Sequence, residues 1–167
     1  MSIVAGPIYQ VAWVVEDIET SERVFTEQLG VMRWNRMPNV AFTPETASYR
    51  GQPADYVIHV SLGYLGDQQI ELIQPVSGTN LYTEFLDRNG GGGLHHTAWL
   101  VDNLVETLKI AAAADIPVNQ QGDFGEEMKF AYLDFSAGGA PYVELMQLGP
   151  NMRAFFDSMC AASKASV

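Results

Sequence analysis

The chain has 167 residues, enough for one domain or two small modules sharing a core, and its 47% hydrophobic content suits a soluble globular protein. Twenty Asp and Glu against nine Lys and Arg give a net charge of -11, which excludes an electrostatic footprint for nucleic acid or an anionic membrane. No apolar run approaches the roughly 20 residues of a membrane helix, Met1 to Pro7 shows no signal-peptide pattern, and the single Cys160 rules out an intramolecular disulfide and fits a reducing, cytoplasmic compartment.

Gln10 to Val15 alternates as a strand, with Val11 and Trp13 on one face and Gln10, Ala12 and Val14 on the other. Asp17 is placed to cap a helix in which Ile18, Ser21, Val24, Phe25 and Leu29 recur at helical spacing, and Gly30 stops it. Val31 to Trp34 reads as a short strand. Asn35 to Pro53 holds three prolines and little periodicity, so a loop is expected. Tyr56 to Leu65 and Gln68 to Gln74 read as a hairpin around Gly66-Asp67. A short helix at about Leu81 to Leu86 leads to Gly90 to Gly93, which serves either as a flexible linker or as a close backbone approach to a ligand. The pattern then restarts: a strand from His96 to Val101, a helix from Leu104 to Ala114, and a turn at Ile116 to Val118. Strands at Phe130 to Phe135 and Pro141 to Gln147 flank Gly138-Gly139, and a C-terminal helix spans about 151-163.

Two stretches repeat each other. Gln10 to Asp17 and His96 to Asn103 both carry Ala-Trp followed by two aliphatic residues, and each precedes a helix. Each has a later partner, Gln69-Ile70-Glu71-Leu72-Ile73-Gln74 and Tyr142-Val143-Glu144-Leu145-Met146-Gln147. The expected organisation is one domain over 1-167, with a first module at 7-75 and a second at 94-148. By strand parity Trp13, Trp99, Ile70, Leu72, Val143 and Leu145 pack under helices, whereas Gln10, Glu71, His96 and Glu144 share the opposite face. A pseudo-twofold would bring those four into one concavity. Imidazole, two carboxylates and an amide oxygen make a mixed N/O set for one divalent metal ion. The bland alternative is four solvent-facing or core-satisfied polar residues, but their equivalence across the repeat favours a shared site. Of the pair His95-His96, adjacent residues on a strand face opposite ways, so only His96 is expected to serve. The same parity places Ala12, Val14, Ile73, Ala98, Leu100, Tyr142 and Met146 around the four ligands as an apolar substrate pocket. His59 is added to that pocket, its structural alternative being a half-buried, hydrogen-bonded histidine.

These motifs resemble the vicinal oxygen chelate superfamily, over about residues 7 to 148. Phe85 to Trp99 and Ile70 to Pro75 look most like its methylmalonyl-CoA epimerase branch. The resemblance implies an α+β fold of paired βαβββ modules forming a curved, cup-shaped mixed sheet with helices on the outside. It also implies a metal set that includes Glu71, His96 and Glu144, and a homodimer. The epimerases usually carry a His where Gln10 stands, whereas animal glyoxalase I uses Gln, Glu, His, Glu in that order around zinc, as here. The positions of its glutathione-contacting Arg and Asn hold Val14 and Pro75, so glutathione is not expected.

The implied activity is a metal-dependent isomerase or epimerase that abstracts a proton next to a carbonyl, with Glu144 as base and Glu71 on the opposite face. A glyoxalase I-type lyase and a metal-free small-molecule binding protein are the alternatives. Zinc leads the metals, with nickel, cobalt, manganese and magnesium admitted by the same donors. With so few cations to hold phosphates, a mainly apolar carbonyl substrate is expected over a CoA thioester; Arg33, Arg36, Arg50 and Arg88 are the basic residues in reach of one.

Overall fold

The computed structural model describes residues 2–139 and 142–165; the expected strand start at Pro141 lies outside them. In chain order the elements are β1 (Gln10–Val14), α1 (Ile18–Val24), β2 (Trp34–Phe42), β3 (Ala47–Tyr49), β4 (Gln52–Pro53), β5 (Tyr56–Leu65) and β6 (Gln68–Ser77). There follow α2 (Leu81–Asn89), β7 (Gly93–Leu100), α3 (Leu104–Ala113), β8 (Val118–Phe124), β9 (Met128–Asp134), β10 (Tyr142–Leu148) and α4 (Pro150–Lys164). Among the described residues all ten strands join one curled mixed sheet, in the order β2-β5-β6-β1-β7-β10-β9-β8-β3-β4. This is the α+β cup of two βαβββ modules. Among the described residues no helix is long and apolar enough to cross a membrane.

The centre of the sheet carries the repeat. β1 runs parallel to β6 and antiparallel to β7, and β7 runs parallel to β10. The conserved geometry of the repeat extends to its caps. Asp17 and Asn103 accept backbone N–H groups at the starts of α1 and α3. Gln74 and Gln147, three residues after Glu71 and Glu144, each accept the first N–H of a helix, Ile18 at 2.9 Å and Leu104 at 2.8 Å. An odd spacing on a strand puts Glu and Gln on opposite faces. The Glu therefore faces the cup, and the Gln satisfies an orphan helix donor outside it.

Two outer cores fix that facing. Under α1 lie Val15, Ile18 and Leu72, with Trp13 beside them; under α3 lie Leu104, Ala131, Leu133, Val143 and Leu145, with Trp99. A slip of one residue would move Leu72 or Leu145, both fully buried, to the wrong face and forfeit roughly 1.5–3 kcal/mol for each. The third and largest core lies inside the cup. There Leu81, Tyr82 and Phe85 of α2, and Phe156 of α4, pack with Val14, Ile73, Ala98, Tyr142 and Met146. α1 and α3 lie on the outside, as expected, while α2 and α4 also contribute to the core within the cup. The linker helix and the C-terminal helix are both apolar on the side they turn to the cup.

The stretch expected to be a loop is largely strand. β2 runs through Phe42 despite Pro38, because Pro38 falls where the pairing with β5 shifts between Met37 and Val40 and no ladder N–H is needed there. β3 then crosses to pair with β8, so the first module's insertion lengthens the sheet at the second module's edge. The glycine run is neither a linker nor a ligand approach. Gly90 ends α2, and a Cβ on Gly92 would sit 2.7 Å from the Val14 carbonyl oxygen, so the run lets the chain pass close against β1.

Candidate metal centre

The register of the four central strands places the candidate ligands in two adjacent rows. Glu71, Ala12, His96 and Tyr142 form one; Gln69, Gln10, Ala98 and Glu144 form the next. Ala12 and Ala98 are pseudo-equivalent and fully buried, and their short side chains leave the space into which the four polar groups lean. His96 Nε2 lies 3.1 Å from Glu144 Oε2 and 3.4 Å from both Glu71 Oε2 and Gln10 Oε1. Glu71, His96 and Glu144 each offer a donor atom within 4.8 Å of the others, a spacing that could hold a metal ion.

The donor set fits such an ion chemically. The Gln10 amide oxygen also stands 3.2 Å from Glu71 Oε2 and from Glu144 Oε2. Three oxygens this close repel unless a cation or proton lies among them. In that orientation Gln10 Nε2 donates to Gln69 Oε1 at 2.8 Å and Gln69 Nε2 to the Tyr64 hydroxyl at 2.8 Å, a relay that runs equally well with both amides turned and the hydroxyl donating. The reverse orientation would turn the Gln10 NH2 toward both carboxylates and require the Gln69 amide to turn with it. Burial opposes charge on the His96 ring, but Glu144 and then Glu71 outweigh it and push its pKa up to about 9. A proton on His96 thus takes the cation's place in the bare chain. Burial, with the neighbouring Glu144 charge, also raises the Glu71 carboxyl.

His95 belongs to this centre, against the expectation that it points away. β7 bulges there: Ala12 pairs with His96 and Trp13 with Leu94, leaving His95 as the extra residue. A bulge breaks strict alternation and re-aims a side chain. His95 Nδ1 comes within 2.9 Å of His96 Nδ1. Its ring sits in a nest of Tyr82, Phe85, Tyr132 and Tyr142, with the Leu81 backbone as the polar group beside it and no hydrogen bond of good geometry at Nε2. Burial and the adjacent His96 hold its pKa well below the ordinary value, so the ring is neutral. With His96 Nε2 turned to the centre, His96 Nδ1–H donates and His95 Nδ1 accepts, which leaves the proton of His95 on Nε2. The doubled His was visible in the sequence, but the bulge was not.

Above the centre lies a cavity of about 150 Å³ that reaches Gln10, Glu71 and Glu144. Its inner wall is Phe42, Ile58, Val60, Leu62, Ile73 and Phe130, all buried; its rim is Met37, Val40, Phe124, Met128, Met152 and Phe155. Tyr82 and Tyr132 complete the wall, their hydroxyls 2.9 Å apart, and burial pushes both well above the usual tyrosine range. Of the residues expected to line the pocket, only Ile73 does. Ala12, Val14, Ala98, Tyr142 and Met146 are buried in the packed interior of the cup, and Leu100 is half-buried at its edge. His59 is half-buried and accepts a hydrogen bond from the Asn39 backbone N–H at 3.0 Å. Strand parity identifies the face of the sheet; it does not show which part of that face α2 and α4 cover. The β5 wall, Ile58, Val60 and Leu62, was readable as an alternating set, whereas β2 was hidden by Pro38.

Comparison with known proteins places this geometry. Residues 9–132 match the family model described as Glyoxalase/Bleomycin resistance protein/Dioxygenase superfamily. The mitochondrial methylmalonyl-CoA epimerase of Mus musculus is 26% identical over 140 residues, which are 84% of this chain and 65% of that protein, so the chain spans just under two thirds of that relative's length. The crystal structure of methylmalonyl-CoA epimerase from Mycobacterium tuberculosis superposes with a TM-score of 0.63 at 18% identity, covering 92% of this chain and 94% of that one. A variant of the Streptomyces coelicolor epimerase in complex with 2-nitronate-propionyl-CoA gives 0.59 at 13% identity, over 85% and 96%. At these identities the structures share the fold. Together with the family match, this places the chain in the glyoxalase/bleomycin resistance protein/dioxygenase superfamily.

Proposed function

We propose that the chain is a metal-dependent isomerase of the epimerase kind, with Gln10, Glu71, His96 and Glu144 holding one divalent ion. The observation that carries the reading is the convergence of two carboxylates, from equivalent strands of the two modules, on one imidazole at the base of an apolar cavity. The likeness to methylmalonyl-CoA epimerases supports it. A bound ion would supply Lewis acidity to the carbonyl oxygen of a substrate. Glu144 takes the proton from the adjacent carbon, and Glu71, across the pseudo-twofold, returns one to the other face. The surrounding apolar wall keeps water from competing as an acid.

Metal analysis of protein purified without chelator tests this, together with deuterium exchange at the α-carbon of carbonyl compounds. Roughly one ion per chain and metal-dependent exchange are expected. Less than about 0.2 ion per chain, with no gain on adding zinc, nickel, cobalt or manganese, would leave a metal-free binding protein instead. Metal-dependent conversion of a hemithioacetal without such exchange would point to the lyase.

Two further outcomes follow from the imidazole pair. Loading a metal must expel the His96 proton, so apparent affinity should rise about tenfold per pH unit up to pH about 9 and then level off. Isothermal titration across pH reads this, and a flat profile below pH 9 would remove His96 from the ligand set. Replacing His95 with Leu should weaken metal binding about 10- to 100-fold by freeing the His96 ring, with little loss of thermal stability because the nest is aromatic. Competition with a chromogenic chelator measures it, and unchanged affinity would make His95 a packing residue only.

A further inference from the structure

The cavity's walls restrict what it can hold. Its volume, about 150 Å³, is comparable to an engineered apolar cavity that takes up benzene. Among the described residues that line it there is no Lys, Arg or His, and the charged ones are Glu71 and Glu144, with His96 behind them. The divalent ion proposed at the base would balance those two carboxylates, so a substrate carboxylate would be an excess negative charge in an apolar space whose lining holds no basic side chain. None of the side chains that line the rim is a cation. Arg36 is committed to Glu19 and Glu22, and Arg50 and Arg88 to Glu84. Arg50 and Arg88 do border a separate groove with Phe85 and Tyr142. The nest around His95 stands between that groove and the cavity, since His95 touches Phe85 and Tyr142 on one side and Tyr82 and Tyr132 on the other. One side of the opening is α4, which contributes Met152, Phe155 and Phe156 to the lining. One feature of the wall is polar and directed. Tyr82 and Tyr132 hold two hydroxyl protons and share one mutual bond, so one O–H remains to donate.

We infer that the site takes a small, uncharged carbonyl compound with an apolar body about the size of one six-membered ring, and with an acceptor for the tyrosine hydroxyl, rather than a CoA thioester. This rests on the isomerase reading for the carbonyl and goes beyond it for everything else. Such a compound fills the apolar wall, presents its carbonyl to the base of the cup, and leaves no charge to be neutralised. A CoA thioester would insert only its acyl end and leave its phosphates outside, with no basic side chain among the residues that line the mouth.

The test titrates the zinc-loaded protein with 2-methylcyclohexanone and 2-phenylpropanal, and separately with free CoA and methylmalonyl-CoA. Binding is followed by calorimetry, and loss of the α-proton in D2O by NMR. The two ring compounds should bind with Kd below about 1 mM. Filling the rim with Val40→Phe or, independently, Met37→Trp should weaken them at least ~10-fold. CoA should not bind, and Arg88→Ala should change nothing. Salt-sensitive binding of free CoA that Arg88→Ala abolishes would overturn the inference, as would failure of both ring compounds to bind. The two readings fail separately. Ring compounds that bind without exchange sink the isomerase and leave the substrate class standing. Exchange on methylmalonyl-CoA alone does the reverse.

Discussion

Glu144→Gln should leave the chain folded and lower turnover by about two to four decades, the usual cost of losing a general base. Glu144 sits in the interior of β10, between Ala98 and Tyr132, with its side chain 4% exposed. Glutamine matches its shape and keeps one oxygen for a metal, so the packing survives. What it cannot do is accept a proton. The substitution also removes a negative charge from His96 Nε2, 3.1 Å away, so metal affinity should fall as well. Metal content measured beside the rate at saturating zinc separates the two effects. A variant that loads zinc and still turns over a substrate of the parent at near its rate would eliminate Glu144 as the base. The same change at Glu71 should slow conversion in both directions alike, because the equilibrium fixes the ratio of forward to reverse kcat/KM, while α-proton exchange of the isomer that Glu144 deprotonates should persist.

The second large effect is on stability. Gly78→Ala should destabilise the fold by about 3 kcal/mol or more, and lower Tm by roughly 10 °C. Gly78 follows β6 and sets the chain for Asn80, whose side chain caps α2. Its φ is +81°, and a Cβ there would lie 2.2 Å from the Asp55 carbonyl oxygen and 2.7 Å from the Tyr56 Cα. Those are backbone atoms at the start of β5, and Tyr56 is itself locked against Phe42 with ring centres 4.9 Å apart. Neither side can yield without moving the cavity wall. Gly66→Ala is the control: its φ is +62° with nothing within 4 Å, so it should lose only the left-handed backbone preference, about 1–2 kcal/mol. Thermal melts of the two variants compare collision with conformation. Equal losses would mean that the close approach at Gly78 relaxes at no cost.

The sequence by itself determined the repeat, the facing of its strands and the cap of each outer helix. Those follow from local rules: a period of two on strands, a period of 3.6 on helices, and short polar residues at helix starts. Gln10, Glu71, His96 and Glu144 were legible for the same reason, since equivalent positions in two copies of one module must meet if the copies pair symmetrically. The resemblance to a known superfamily supplied the cup. Three things were decided only by tertiary structure. His95 joins the centre because β7 bulges opposite β1, and a bulge depends on the partner strand's register, which alternation in one strand cannot reveal. The stretch from Asn35 to Pro53 is strand because β5 and β8 offer edges to pair with, and this overrides its prolines and weak pattern. The cavity reaches the four central groups but is walled by β2, β5, β8 and β9, because α2 and α4 pack inside the cup and bury Ala12, Val14, Ala98, Tyr142 and Met146. Apolar faces on two helices fix that they must be buried, but not against which surface, and that choice fixed the shape of the space a substrate can fill.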